Sequence, residues 1–296
     1  MGVKSKAAAA ILILLLFLGS LWLYGSLDYH WDACLKGYNQ VNDPHQLSNS
    51  SASYGSGGPQ LLEVCHGQTF QVSLLLTHLL ASPAYTSDVL LQPYLSSWDE
   101  LVKFMDSLGP MVGLISKEIV TKTSIIRELA VLADASPEAE VNPEAESTLH
   151  PSQVSGPYQS VRSMIWVELK RGSVDFQHQT DSGCRTLLRL HRALLWLKLF
   201  LQKLAEIPVA GRLKSPSELC REAYKSTLAN HHTWFVRRAA ELAFIALPER
   251  AFFFKLVCVQ NQEELSTVLG RATRAIGVVY DRTQKALEEN GMLDLP

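Results

Sequence analysis

Ser182 to Leu201, SGCRTLLRLHRALLWLKLFL, is the stretch whose reading decides the fold. Leu187, Leu190, Leu194, Leu197 and Leu201 recur at spacings of three and four, the period of a helix that buries one face. Arg185 and Arg189 stand four residues apart in the same run, so both guanidinium groups leave one side of that helix. Like charges at this spacing oppose each other by a few tenths of a kcal/mol, roughly. A solvated basic edge is the plain reading of such a pair. The alternative is an anion site, because the planar fork of arginine suits a phosphate.

Two further segments bear on that choice. Ile115 to Lys122, ISKEIVTK, lies in a helix predicted from about Met111 to Val131, and it sets Glu118 and Lys122 one turn apart. Alone this is a surface pair that slightly supports its helix. His231-His232-Thr233-Trp234-Phe235-Val236-Arg237-Arg238 then brings a histidine close to an indole.

These three segments, in this order, resemble the glycolipid transfer protein family, and within it the ceramide-1-phosphate branch. The flanks are similar too: LLQPYLSSWDELVKFMDSLG at Leu90–Gly109 and the ending Met292-Leu293-Asp294-Leu295-Pro296. The resemblance runs from roughly Phe70 to Pro296. It implies an all-α, two-layer helical sandwich of about eight helices, with one sphingolipid held between the layers. A headgroup site at the surface would cap an apolar pocket for the two hydrocarbon chains.

Position by position, the resemblance gives Glu118 the amide N–H of ceramide and His232 the amide carbonyl. Lys122, Arg185 and Arg189 take the phosphate. A phosphate monoester carries about −1.5 to −2 charges at neutral pH and offers three strong acceptors. Three converging cations, two of them bidentate forks, make a charge-assisted site for it. The sugar-binding members of the family carry an aromatic platform where Arg185 stands and an amide where Lys122 stands, so phosphate is favoured here. One departure stands out. The acid of the family is normally Asp, and Glu118 is one methylene longer, which affects the placing of the headgroup against Lys122.

Phe104, Leu108, Trp196, Leu228 and Phe235 match pocket-facing positions of the family, although any one of them taken singly reads as plain core. Trp234 and Trp98 are expected at the membrane interface, where indole favours the headgroup zone; a half-buried structural role is the alternative for each.

The chain has 296 residues, 47% hydrophobic and 19% charged, enough to bury a substantial core. A net charge of −2 speaks against a nucleic-acid partner and leaves basic character local. Cys34, Cys65, Cys184, Cys220 and Cys258 show no C-x-x-C and no paired-histidine spacing, so neither a metal nor another cofactor is expected. In an oxidising compartment one disulfide could form among them; Cys184 reads as a small buried residue. The remaining helices are expected at about 68–81, 92–107, 158–171, 217–229, 234–246 and 262–290, with that of Ile115–Lys122 at 111–132 and that of Arg185 at 183–205. Arg282, Lys285 and Glu289 mark an exposed face of the last one.

The N-terminus is a separate unit. Lys4 and Lys6 precede Ala7–Leu23, an apolar run as long as the roughly 17–25 residues of a membrane span. Residues 1–27 therefore read as an uncleaved signal anchor, with a cleaved signal peptide as the alternative. The basic flank keeps the N-terminus cytosolic and puts the rest of the chain on the lumenal or outer side, where Asn49-Ser50-Ser51 is a glycosylation sequon. Relatives working in the cytosol leave that location as the alternative. Residues 28–62 read as a flexible polar linker, 63–296 as the lipid-binding domain, and 134–156 as a mobile insert in it.

The functional expectation is a monomeric, non-enzymatic carrier that takes ceramide-1-phosphate from one bilayer to another. A membrane-tethered sphingolipid sensor is the alternative. An enzyme using His232 as base and Glu118 as acid lacks a nucleophile elbow, a P-loop or metal spacing.

Overall fold

The computed structural model describes residues 64–135, 156–207 and 212–296. The apolar run at 7–23, the linker at 28–62, Asn49, Cys34 and all but the ends of the 134–156 insert lie outside the described residues. Nine α-helices occur among the described residues: α1 Val72–Ala81, α2 Leu91–Ser107, α3 Pro110–Asp134, α4 Val161–Lys170, α5 Gly183–Ala205, α6 Pro216–Ser226, α7 Trp234–Ile245, α8 Arg250–Leu256 and α9 Gln262–Glu289. A 3₁₀ turn, Leu228–His231, joins α6 to α7. The only extended pairings among these residues are the isolated bridges Pro83–Val89 and Leu90–Ser160.

The helix of the arginines, α5, is the hub. Its N-terminus is fixed by a buried carboxylate: Glu168 accepts from the backbone N–H of Gly183 at 2.6 Å and of Cys184 at 2.9 Å, and from the Tyr158 hydroxyl at 2.6 Å. A negative group at a helix start meets unpaired N–H donors and the positive end of the dipole. Glycine is required there, since a Cβ on Gly183 would come within 2.8 Å of both Glu168 Oε1 and Met164 Sδ. The Ser182 hydroxyl accepts from the Arg185 N–H and completes the cap. These contacts set which way Arg185 and Arg189 leave the helix.

Helix α5 packs on α9 and α6, and α2 packs on α1 and α3; the two sets meet where α3 lies on α5 and α1 on α9. This is the two-layer helical sandwich. Leucines 187, 190, 194, 197 and 201 are all buried, as the spacing predicted. Capping boxes begin α4 (Ser160 with Ser163) and α6 (Ser215 with Glu218), and Asn261 caps α9. Gly109, at φ 111°, makes the sharp passage from α2 to α3.

Several expectations shift. The first helix begins at Val72 rather than 68, and the 217–229 helix breaks at Thr227 into the 3₁₀ turn. Helix α8 was not anticipated; at seven residues, with Phe252-Phe253-Phe254 consecutive, it is too short to display a period. Arg282 is not on a solvated face: its guanidinium donates to the carbonyls of Ala84 and Asp88 and holds the turn before α2. Glu289 pairs with Arg162 of α4. Cys65 and Cys258 form a disulfide with Cα atoms 5.7 Å apart, clipping the segment before α1 to the loop after α8. Cys184 and Cys220 are free thiols, both buried.

Candidate functional site

Helix α3 carries Glu118 and Lys122 on one side, and Glu118 Oε1 lies 2.6 Å from Lys122 Nζ. The two ends of this pair differ in freedom: the Glu118 side chain is 64% exposed, the Lys122 side chain only 18%. Facing them on α5, Arg189 feels the positive fields of Arg185 and Arg192 and the negative field of Glu118. Burial is the largest influence and, with the two guanidinium neighbours, lowers its affinity for the proton. Its Nη1 is buried with no hydrogen-bond partner among the described residues. An unpaired buried donor on a cation is costly. It is the kind of group an anion would satisfy.

Arg185 is held differently. Its Nε donates to the Pro296 carbonyl at 2.6 Å, Nη1 to the Thr180 carbonyl at 3.1 Å and Nη2 to the Gln179 Oε1 at 2.8 Å. Thr180 and Gln179 offer it neutral amide oxygens, and two of its five N–H groups remain to offer. Arg192 donates to the Leu293 carbonyl at 2.6 Å. The C-terminal segment is itself anchored by buried Met292 and Leu295, so it splints both outer arginines of α5.

His232 follows the 3₁₀ turn, half-buried, with Nδ1 2.8 Å from the Tyr224 hydroxyl. Burial, then the charges of His231 and Arg237, push its pKa below the usual histidine range. Burial raises that of Tyr224 to about 12, so the phenol keeps its proton and is able to donate it to Nδ1. In that tautomer the neutral imidazole carries its proton on Nε2, a donor suited to an amide carbonyl. The preceding residue, His231, lies in the fields of Arg192 and Asp294, which ties this corner to the α5 arginines.

An aromatic stack leads inward from His232. Its ring is 5.7 Å from Tyr224, which meets Phe244 at 5.3 Å and Trp196 at 6.5 Å edge-on. Beyond lies an apolar cavity of about 10 Å³, lined by Leu108, Val112, Trp196, Phe200, Phe244 and their neighbours. That volume is far below what two hydrocarbon chains would fill.

Of the expected pocket residues, Leu108 and Trp196 line this cavity. Phe104 is buried beside it, packed on Phe70 and Phe253, and Leu228 rests half-buried on the core. Phe235 is elsewhere: it is 73% exposed and stacks edge-on against Trp234 at 5.0 Å. One residue after the first turn of α7 begins, it points outward with Trp234 and Val236, beside Arg237 and Arg238. Trp98 is also displaced from its expected role. It is 0% exposed, packed edge-on against Tyr94, because Leu91, Leu95, Leu101 and Met105 put it on the core stripe of α2.

The sequence reading overlooked Tyr224, Arg192 and the backbone oxygens of Leu293 and Pro296. Arg192 had a signal, lying three residues after Arg189 on the same side of α5. Tyr224 had none, since an aromatic in an amphipathic helix reads as core.

The sequence matches the glycolipid transfer protein family over residues 89–259. It is similar to the ceramide-1-phosphate transfer protein of Xenopus laevis, 41% identical over 216 residues that cover 71% of this chain and 88% of that one. The Homo sapiens ceramide-1-phosphate transfer protein is 39% identical over 212 residues, with the same shares covered. The crystal structure of that human protein in complex with 2:0 ceramide-1-phosphate resembles this one with a TM-score of 0.64 at 36% identity, covering 77% of this chain and 99% of the other.

Proposed function

The chain belongs to the glycolipid transfer protein family, and on that premise we propose that it binds ceramide-1-phosphate and transfers it between membranes. The observation that carries this reading is the buried Nη1 of Arg189, without a partner among the described residues and in the positive fields of Arg185 and Arg192. A sugar hydroxyl cannot offset that accumulated charge; a phosphate monoester can.

In this reading Lys122, Arg185 and Arg189 take the phosphate oxygens. The carboxylate of Glu118 accepts the amide N–H, and the Nε2–H of His232 donates to the amide carbonyl. The chains enter past Trp196 and Leu108 as the aromatic stack opens. Burying each methylene is worth about 0.8 kcal/mol relative to water, and the bilayer offers the same, so uptake and release stay nearly balanced. No bond is made or broken: the work is binding. Trp234 and Phe235, with Arg237 and Arg238 beside them, form the surface that meets the bilayer, apolar rings for the interface and cations for anionic headgroups.

The Cys65–Cys258 disulfide supports a setting on the non-cytosolic side, since such bonds persist in oxidising compartments. Lys4 and Lys6 before the apolar run at 7–23 orient the domain the same way. Glycosylation of Asn49, read as an endoglycosidase-sensitive mass shift of the full chain from cells, tests this; an unshifted chain with free thiols at 65 and 258 refutes it.

The function is tested by following fluorescent ceramide-1-phosphate and galactosylceramide between vesicles. Transfer of the phosphate lipid alone, abolished by Arg185→Leu, is expected. Transfer of the sugar lipid alone would overturn the headgroup assignment.

A further inference from the structure

Resting on the ceramide-1-phosphate reading, we propose that the Glu118–Lys122 pair is an exchangeable latch that couples recognition of the phosphate to recognition of the amide. With no lipid bound, Glu118 serves as the internal anion of the site. Its Oε1 lies 2.6 Å from Lys122 Nζ, so the carboxylate occupies a cation that the phosphate requires.

The difference in burial says which partner moves. Lys122 has its stem packed away, whereas most of the Glu118 side chain is in solvent and is free to swing about its torsions. An arriving phosphate, with more charge and three acceptor oxygens, displaces the single carboxylate from Lys122. The surroundings favour the exchange, because Arg185 keeps two N–H groups beyond those given to Pro296, Thr180 and Gln179, and Nη1 of Arg189 has no partner among the described residues. Once released, Glu118 has lost its counter-charge and needs a new donor. The amide N–H of a sphingolipid supplies it.

The consequence is selectivity that neither residue gives alone. A phosphate lipid without an amide N–H, such as phosphatidic acid, breaks the pair and leaves the carboxylate with nothing but water. A ceramide without a phosphate draws Glu118 away and leaves Lys122 unneutralised among arginines. Only a ligand bearing both groups satisfies both ends of the broken pair. Coupling of this kind is reciprocal: each half of the headgroup strengthens binding of the other by the same factor. The reach of glutamate is what makes the latch. A carboxylate one methylene shorter at position 118 keeps its acceptor but draws back from Lys122 one turn away.

The test is a double-mutant cycle on the full chain, titrated with short-chain phosphatidic acid and with short-chain ceramide-1-phosphate. Glu118→Gln is expected to tighten phosphatidic acid by up to about fivefold, the range of an exposed ion pair, while weakening ceramide-1-phosphate. Glu118→Asp is expected to tighten phosphatidic acid as well, since its shorter reach leaves Lys122 free. In a Lys122→Gln background the gain for phosphatidic acid from Glu118→Gln should vanish, because no latched cation is left to release. An equal gain in both backgrounds would mean simple charge repulsion and would overturn the latch, as would no gain with Lys122 present. Failure of the unaltered chain to bind either phosphate lipid would overturn the functional reading and the latch together.

Discussion

The Tyr224 hydroxyl lies 2.8 Å from Nδ1 of His232, and this one contact sets what the histidine can offer a ligand. With the phenol proton directed to Nδ1, the imidazole presents Nε2–H outward, and the same phenol ring is the first member of the aromatic stack leading to Trp196. Under the proposed function, headgroup and chain recognition share this residue. Tyr224→Phe keeps the ring and removes the donor. A neutral hydrogen bond is worth about 0.5–1.5 kcal/mol, so binding of ceramide-1-phosphate should weaken by up to about tenfold, as measured by titration, with the fold intact by circular dichroism.

Stability should depend on pH through His191, a buried histidine outside the site. It stacks on Tyr280 at 4.1 Å with Nε2 2.6 Å from Gln284 Oε1. Burial pushes its pKa down to about 4 in the folded protein, against about 6.5 in an unfolded chain. Between these values the unfolded chain holds a proton that the folded one does not. Stability is therefore complete above about pH 6.5 and falls as the pH drops toward 4, by about 3 kcal/mol from this group. Denaturant titrations at pH 7, 5.5 and 4.5 check it. His191→Phe should flatten the slope in that window while lowering stability at pH 7, since Gln284 loses its imidazole partner at 2.6 Å and keeps the Tyr280 hydroxyl at 3.3 Å.

The disulfide closes a sequence separation of 193 residues. Its loss should cost about 3–5 kcal/mol, chiefly by releasing the unfolded chain, and lower Tm by roughly 10 °C. Melting curves with and without reductant measure this. Cys65→Ser should melt where the reduced protein does and be indifferent to reductant.

Trp234 and Phe235 should matter for membranes and not for the lipid once it is soluble. Replacing both by alanine removes exposed side chains worth about 1–3 kcal/mol each when buried in a bilayer. Vesicle co-sedimentation should fall by tenfold or more, with titration of short-chain ceramide-1-phosphate unchanged.

Much of this architecture can be read along the chain. The leucine period of α5 is undisturbed because that helix is buried along its whole core face and capped locally by Ser182. The same period was visible around Trp98, where Leu95 and Leu101 flank it at helical spacing, yet a rule for indoles at interfaces misplaced it. Phe235 shows the converse. A residue matched to a pocket lies outside because α7 turns that side to solvent. Long-range partners left no local trace: the Cys65–Cys258 bond, the Arg282 clasp on Ala84, and the backbone oxygens of Leu293 and Pro296 that hold Arg192 and Arg185 all depend on distant segments meeting in space. Residue types can suggest the charge of a site; only packing decides which of its donors remain unpaired.

The most direct measurement offers the full chain a choice. Vesicles containing equal amounts of ceramide-1-phosphate, sphingomyelin, galactosylceramide and phosphatidic acid are incubated with the protein, and the extracted lipid is identified by mass spectrometry. Ceramide-1-phosphate should dominate the bound fraction and disappear from it in Arg189→Leu. Recovery of galactosylceramide as the main lipid, or ceramide-1-phosphate bound equally by the Arg189→Leu chain, would contradict a site built around phosphate.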